Sequence, residues 1–110
     1  MSITLRPPID LYFASENARD PSAIDLCFAA GAVVRDEGKT ITGRAAIKAW
    51  RVETGQKYHH TVEPLAMSTP DGRIVVVRAK VSGNFPGSPI NLEHIFDIQD
   101  GRIVSLEIQP

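Results

Sequence analysis

Cysteine is nearly absent from this 110-residue chain. The single thiol, Cys27, excludes an internal disulfide framework and fits a reducing compartment. Neither sign of charge dominates: 12 Lys and Arg stand against 13 Asp and Glu, with no arginine-rich or lysine-rich run. That balance removes the basic footprint of a nucleic-acid binder. No apolar run approaches the length of a transmembrane helix, so no membrane partner is expected. Met1 to Pro8 lacks the charged start and apolar stretch of a secretory signal, and the predicted location is the cytoplasm. There is no internal repeat, low-complexity stretch or long linker. The length suits one core and is too short for two, giving one domain over 1–110 with an N-terminal arm at 1–8.

What is present is a helical first half and a strand-rich second half. After Pro7-Pro8, the spacing of Ile9, Tyr12, Phe13 and Glu16 predicts a helix with one apolar side. Asp20-Pro21 has helix-start chemistry, with a capping carboxylate before a proline at the first helical position. Ile24, Cys27 and Phe28 continue at helical spacing, and Gly31 is the predicted end. Ala32 to Asp36 reads as a short strand with Ala32, Val34 and Asp36 on one face. A turn at Glu37-Gly38-Lys39 leads into Thr40 to Thr42. Thr42-Gly43 then caps a helix carrying Ile47 and Trp50, with Gly55 as the predicted stop.

Four strands follow. His59 to Ser68 contains Pro64, which marks an edge or a bulge. Thr69-Pro70-Asp71-Gly72 is a turn, and Ile74 to Ser82 a valine-rich central strand. Gly83 to Pro89 is a loop with one large apolar side chain, Phe85, expected to border a pocket mouth. Ile90 to Gln99 and Arg102 to Ile108 form a hairpin about Asp100-Gly101. The fold class is α+β: N-terminal helices packed in a strongly curved, mainly antiparallel sheet, a cone that encloses a pocket.

Four segments carry a resemblance. They are Leu-Tyr-Phe-Ala-Ser-Glu-Asn-Ala-Arg-Asp (11–20), Phe-Ala-Ala-Gly-Ala-Val-Val-Arg-Asp (28–36), Thr-Gly-Arg-Ala-Ala-Ile (42–47) and Asp-Gly-Arg-Ile-Val-Ser-Leu (100–106). With them the chain resembles the nuclear transport factor two-like superfamily, and within it the SnoaL-like group, from Ile9 to Ile108. The resemblance implies a cone-shaped fold that often pairs by its sheets. It fixes no activity, because the group spans isomerases, dehydratases, cyclases, hydrolases and non-catalytic domains. Compared with ketosteroid isomerase, Tyr12 and Asp36 match two of its site positions. A gapless match puts Glu93 at the third. Strand alternation instead turns His94 inward with Ile90, Leu92, Phe96 and Ile98, and leaves Glu93 with Asn91 and Asp97. The oxyanion acid of that enzyme is therefore missing.

Two roles fit each polar candidate. Asp36 is a general base whose pKa an apolar pocket raises, or a turn residue that bonds a nearby N–H. His94 orients or protonates a ligand, or is a hydrogen-bonded core histidine. Tyr12 presents its hydroxyl to the pocket, or packs beside Phe13. The expected catalytic set is Asp36, His94 and Tyr12. The expected ligand walls are Phe13, Phe28, Val34, Ile47, Trp50, His60, Phe85, Leu92 and Phe96. Of His59-His60, only one can share a face with His94, so a metal site is not expected. Cys27 reads as a small buried hydrophobe.

These readings predict a pocket for a small hydrophobic organic molecule, needing no cofactor. Its chemistry would be acid–base proton transfer on a carbonyl or polycyclic substrate, in an isomerase, cyclase or dehydratase. The alternative is a non-catalytic ligand-binding or dimerisation module. Ile74 and Val76 face away from Val75 and Val77, so the outer face of the sheet predicts a homodimer. Asp36 and His94 are expected on one cavity, within direct or single-water reach.

Overall fold

A computed structural model describes residues 3–110, so Met1 and Ser2 of the expected arm lie outside the described residues. The first helix, α1 (Ile9–Ala18), ends on Arg19 in the left-handed conformation. Asp20 caps as expected: its carboxylate accepts from the Ser22 N–H at 3.1 Å and the Ser22 hydroxyl at 2.6 Å. What it caps is short. A 3-10 turn at Pro21–Ala23 runs into α2 (Ile24–Cys27), and the chain is already extended at Phe28. The expected helix end at Gly31 is thus corrected, because Phe28 to Gly31 belong to β1 (Phe28–Asp36). Phe28 is buried in both readings, and helical spacing from Ile24 could not separate them.

A tight turn, with Glu37 and Gly38 both at positive φ, joins β1 to β2 (Lys39–Thr42). Helix α3 (Arg44–Tyr58) follows. Gly43 at φ 89° is its N-cap, and no side chain, Thr42 included, caps it. The expected stop at Gly55 is also corrected. The helix continues through Gly55 to Tyr58 and ends on His59 at φ 47°. A Cβ at Gly55 would lie 3.4 Å from the mobile end of Arg19, an ordinary contact, so space does not demand glycine there. The remaining strands are β3 (Thr61–Ser68), β4 (Ile74–Ser82), β5 (Ile90–Gln99) and β6 (Arg102–Gln109).

The six strands form one sheet in the order β2-β1-β6-β5-β4-β3. All neighbouring pairs are antiparallel except β1 with β6, which is parallel. Register shifts between Phe28 and Val33, between Pro64 and Ala66, and between Asp97 and Ile98 bend the sheet. Pro64 therefore sits at a bulge on an edge strand, as its missing N–H requires.

The helices fill most of the concave face. Tyr12 and Phe13 of α1 pack edge-on with each other at 5.1 Å between ring centroids, and with Phe96 of β5 at 5.3 and 5.9 Å. Phe28, Ile47, Val34, Val77, Ile103 and Leu106 complete this fully buried cluster. Asn17 fastens α1 to the sheet edge. Its side chain donates to the Val62 carbonyl at 2.8 Å and accepts from the Val62 N–H at 2.7 Å. No helix among the described residues is long and apolar enough to cross a membrane.

Candidate functional site

The strand register builds the site. On β1, Asp36 is paired with Ile108 of β6, and Ile108 is paired with His94 of β5. Residues paired across a sheet point to the same face, so these three form one row. Asp36 and His94 are two strand spacings apart, about 10 Å at the backbone. Beside this row the helices leave a cavity of about 440 Å³. Asp36, His94 and Ile108 all line it, with Glu37, Leu92 and Val81 from the sheet.

Helix α3 supplies the opposite wall with Trp50, Thr54 and Tyr58. These residues are four apart, so they form one stripe along the helix. The loop 83–89 borders the opening through Phe85 and Pro86, and Phe85 packs edge-on against Tyr58 at 5.8 Å. Gly83 makes this contact possible: a Cβ there would lie 2.8 Å from the Tyr58 carbonyl oxygen and 2.9 Å from the His60 Cβ. The neighbouring Asn84 N–H donates to that same carbonyl at 2.7 Å.

The polar groups have distinct environments. The Trp50 indole N–H donates to Asp36 at 3.3 Å. Burial raises the Asp36 pKa above the ordinary carboxylate range, and repulsion from Glu37 adds to it, while the Trp50 hydrogen bond pulls partly back. His94 is 2% exposed and its Nδ1 has no partner. Burial lowers its pKa, although the Glu16 carboxylate and the backbone of Leu92 and Val77 oppose this. It is therefore a neutral imidazole at pH 7.

Behind the cavity lies a buried pair, Glu16 Oε2 and His60 Nε2, 2.7 Å apart. Burial pushes the Glu16 carboxyl up, but the hydrogen bond to His60 and the charge of Arg51 outweigh it and hold the group below its usual value. Arg51 is 5% exposed, bonds the Ser15 hydroxyl at 2.9 Å and lies over the Tyr12 ring at 4.7 Å. A second cavity of about 360 Å³ lies on the far side of this pair, lined also by Arg19, Arg51 and Gln56.

Of the residues expected from sequence, Asp36, His94, Trp50, His60, Phe85 and Leu92 come together on the 440 Å³ cavity. Asp36 and His94 make no direct hydrogen bond, since Ile108 stands between them in the row. Phe13, Phe28, Val34, Ile47 and Phe96 do not line it. They pack instead in the buried cluster with Tyr12, whose ring fills the space between α1 and Phe96 of β5. Tyr12 is corrected likewise: it is 0% exposed, and its hydroxyl is buried away from the cavity without a partner. Burial, with the Glu16 charge, drives its pKa well above the ordinary phenol value.

His59 and His60 separate as a helix cap and a cavity residue, not as strand neighbours. Cys27 is buried, and burial pushes its thiol to about 11, which makes it inert. Among the described residues, no group of three or more His, Cys, Asp or Glu is placed to hold a metal ion. Glu16, Glu37, Thr54 and Tyr58 were missed as site residues. The signals were there: Glu16 is four residues from Tyr12, and Tyr58 is eight from Trp50.

A sheet curled around helices, with a pocket lined by Asp36 and His94, defines a cone-shaped α+β pocket protein of the nuclear transport factor two-like type. The model of the SnoaL-like domain matches residues 9–106, and the chain belongs to that family. A candidate polyketide cyclase from Sinorhizobium meliloti is 44% identical, with a TM-score of 0.91 over 96% of this chain and 95% of that one. A Catenulispora acidiphila protein with a ketosteroid isomerase-like fold, in complex with trimethylamine, is 23% identical (TM-score 0.81, 96% of this chain and 87% of that one). A protein of the nuclear transport factor two-like type from Cytophaga hutchinsonii is 16% identical (TM-score 0.78, 98% and 90%). The last two show the fold alone. No curated protein matches the chain.

Proposed function

We propose that this protein is an acid–base enzyme that moves a proton on a small carbonyl compound, with aldol-type ring closure as the reaction its cavity suits. The observation that carries this reading is the shared row: Asp36 and His94 face one cavity from strands on either side of β6. Support also comes from the 44% identical relative, itself described as a candidate polyketide cyclase.

The two groups divide the work. The Asp36 carboxylate removes a proton from carbon next to a carbonyl, and its raised pKa makes it a better base than an exposed aspartate. The electron pair moves onto the carbonyl oxygen. Neutral His94 donates an N–H to that enolate oxygen from a buried wall, where a hydrogen bond is strong. The enolate carbon then attacks a second carbonyl of the same molecule, forming a C–C bond. The new alkoxide takes the proton back from Asp36, which returns to carboxylate. A backbone separation of about 10 Å between Asp36 and His94 leaves room for the reacting carbon and its oxygen between their side chains. Trp50, Leu92, Ile108 and Phe85 supply apolar walls that exclude water from the enolate.

The test is conversion of a panel of linear poly-β-ketones, followed by mass spectrometry and NMR. Cyclic product with the wild type, and none with an Asp36→Asn variant that still binds substrate, is the expected result. Binding by both proteins with turnover by neither would leave a non-catalytic binding module.

We further propose that two copies pair through the outer sheet face, where Ile74, Val76, Ile95 and Val104 are only half-buried in the isolated chain. Light scattering at micromolar concentration should give twice the 12.0 kDa chain mass; a monomer would contradict it.

A further inference from the structure

The charge lining the cavity is one-sided. Three carboxylates border it, from Glu16, Asp36 and Glu37, and among the described residues no lysine or arginine does. Glu16 is neutralised by its neighbours, being held against His60 with Arg51 behind. Asp36 and Glu37 have no ion-pair partner within 4 Å among the described residues. Asp36 ends β1 and the exposed Glu37 follows it in the turn, and both border this cavity. Their mutual repulsion is one of the causes that raise the Asp36 pKa. A cation seated there would relieve it.

Three aromatic rings line the same cavity: Trp50, Tyr58 and Phe85. The negative face of an aromatic ring attracts a cation, most strongly when water is excluded. Tyr58 already carries one, since the Lys57 ammonium lies 5.1 Å from its ring centroid without itself lining the cavity. His94, 98% buried and with its Nδ1 unpartnered, also lines this cavity. Three rings and two carboxylates without an ion-pair partner offer a cationic nitrogen two attractions, ring quadrupole and charge. The same lining repels a phosphate or a carboxylate.

We propose that the cavity selects a molecule bearing a cationic nitrogen, a quaternary ammonium or a protonated tertiary amine, held between the Trp50, Tyr58 and Phe85 rings and the Asp36–Glu37 carboxylates. The proposal rests on the reading of this cavity as the substrate site and narrows the substrate class to carbonyl compounds with such a group. Bound there, the cation favours the ionised Asp36, which is the form that acts as base. Lys39 and Lys57 are the nearby cations that compete, and both lie outside the cavity lining.

Three probes of one shape test it: choline, its neutral isostere 3,3-dimethylbutan-1-ol, and the anion 3,3-dimethylbutanoate. Binding is followed by NMR titration of the whole chain at low salt. Choline should bind about tenfold more tightly than the alcohol, and the anion most weakly. Glu37→Gln should cut the preference for choline about threefold or more while leaving alcohol affinity unchanged. An alcohol that binds as tightly as choline overturns the proposal, as does absence of choline binding or a preference that survives both Glu37→Gln and Asp36→Asn. Proton transfer plays no part in these binding measurements, so their failure is separate from any failure of the ring-closure reading.

Discussion

The indole N–H of Trp50 donates to Asp36 Oδ2 at 3.3 Å, tying helix α3 to the end of β1 across the wall of the cavity. That bond orients the carboxylate but does not cancel the effect of burial, which still raises the Asp36 pKa. The sign of its effect on stability follows. Below the ordinary value of 3.8 the group is protonated both folded and unfolded. As pH rises, the unfolded chain ionises first, and folding loses free energy up to the folded pKa. Asp36→Asn keeps an acceptor for Trp50 and removes this penalty. The variant should melt higher than wild type at pH 7, and the two should converge near pH 3. The carboxylate is partly open to solvent, so the gain is smaller than full burial would give.

Glu16 behaves in the opposite way. Its carboxyl is held below the ordinary value, so its contribution is present at neutral pH and is lost as pH falls through the folded pKa. Glu16→Ala leaves His60 and the buried Arg51 without their carboxylate. The expected loss is about 3 kcal/mol at pH 7, measured by denaturant unfolding, and it should shrink in acid as wild type loses the same interaction.

His94 has its pKa depressed by burial, so it stays neutral where an exposed histidine has begun to charge. Stability from this group is full above 6.5 and is lost as pH falls below it towards the folded pKa. In an NMR titration the His94 ring signals should remain in the neutral position through pH 6.5. His94→Phe, which removes the polar atoms, should flatten the fall in stability below that pH.

Much of this was legible in the residues. Alternation along β5 placed His94 inward and Glu93 outward, because a half-buried strand allows one phase only. Asp36 was legible for the same reason, being in phase with Val34 at a strand end. Other features depended on distances that a local pattern does not contain. The parallel pairing of β1 with β6 joins segments some seventy residues apart, and it alone puts Ile108 between Asp36 and His94. Gly55 is a poor helix former, yet α3 continues through it to Tyr58, because a single glycine costs a helix only about 1 kcal/mol, and this extended the cavity stripe. Phe13, Phe28, Val34, Ile47 and Phe96 read correctly as buried, but burial in a core and burial on a cavity wall have the same apolar signature.

The most direct measurement is the rate of deuterium uptake from D2O next to the carbonyl of a bound enolisable ketone, followed by NMR across pH. Wild type should accelerate uptake with an acid limb whose midpoint lies above the ordinary aspartate value of 3.8. Asp36→Asn should lower the rate at pH 7 by about a hundredfold or more. A rate that is the same in both proteins, or no acceleration over buffer by wild type, would contradict a catalytic Asp36.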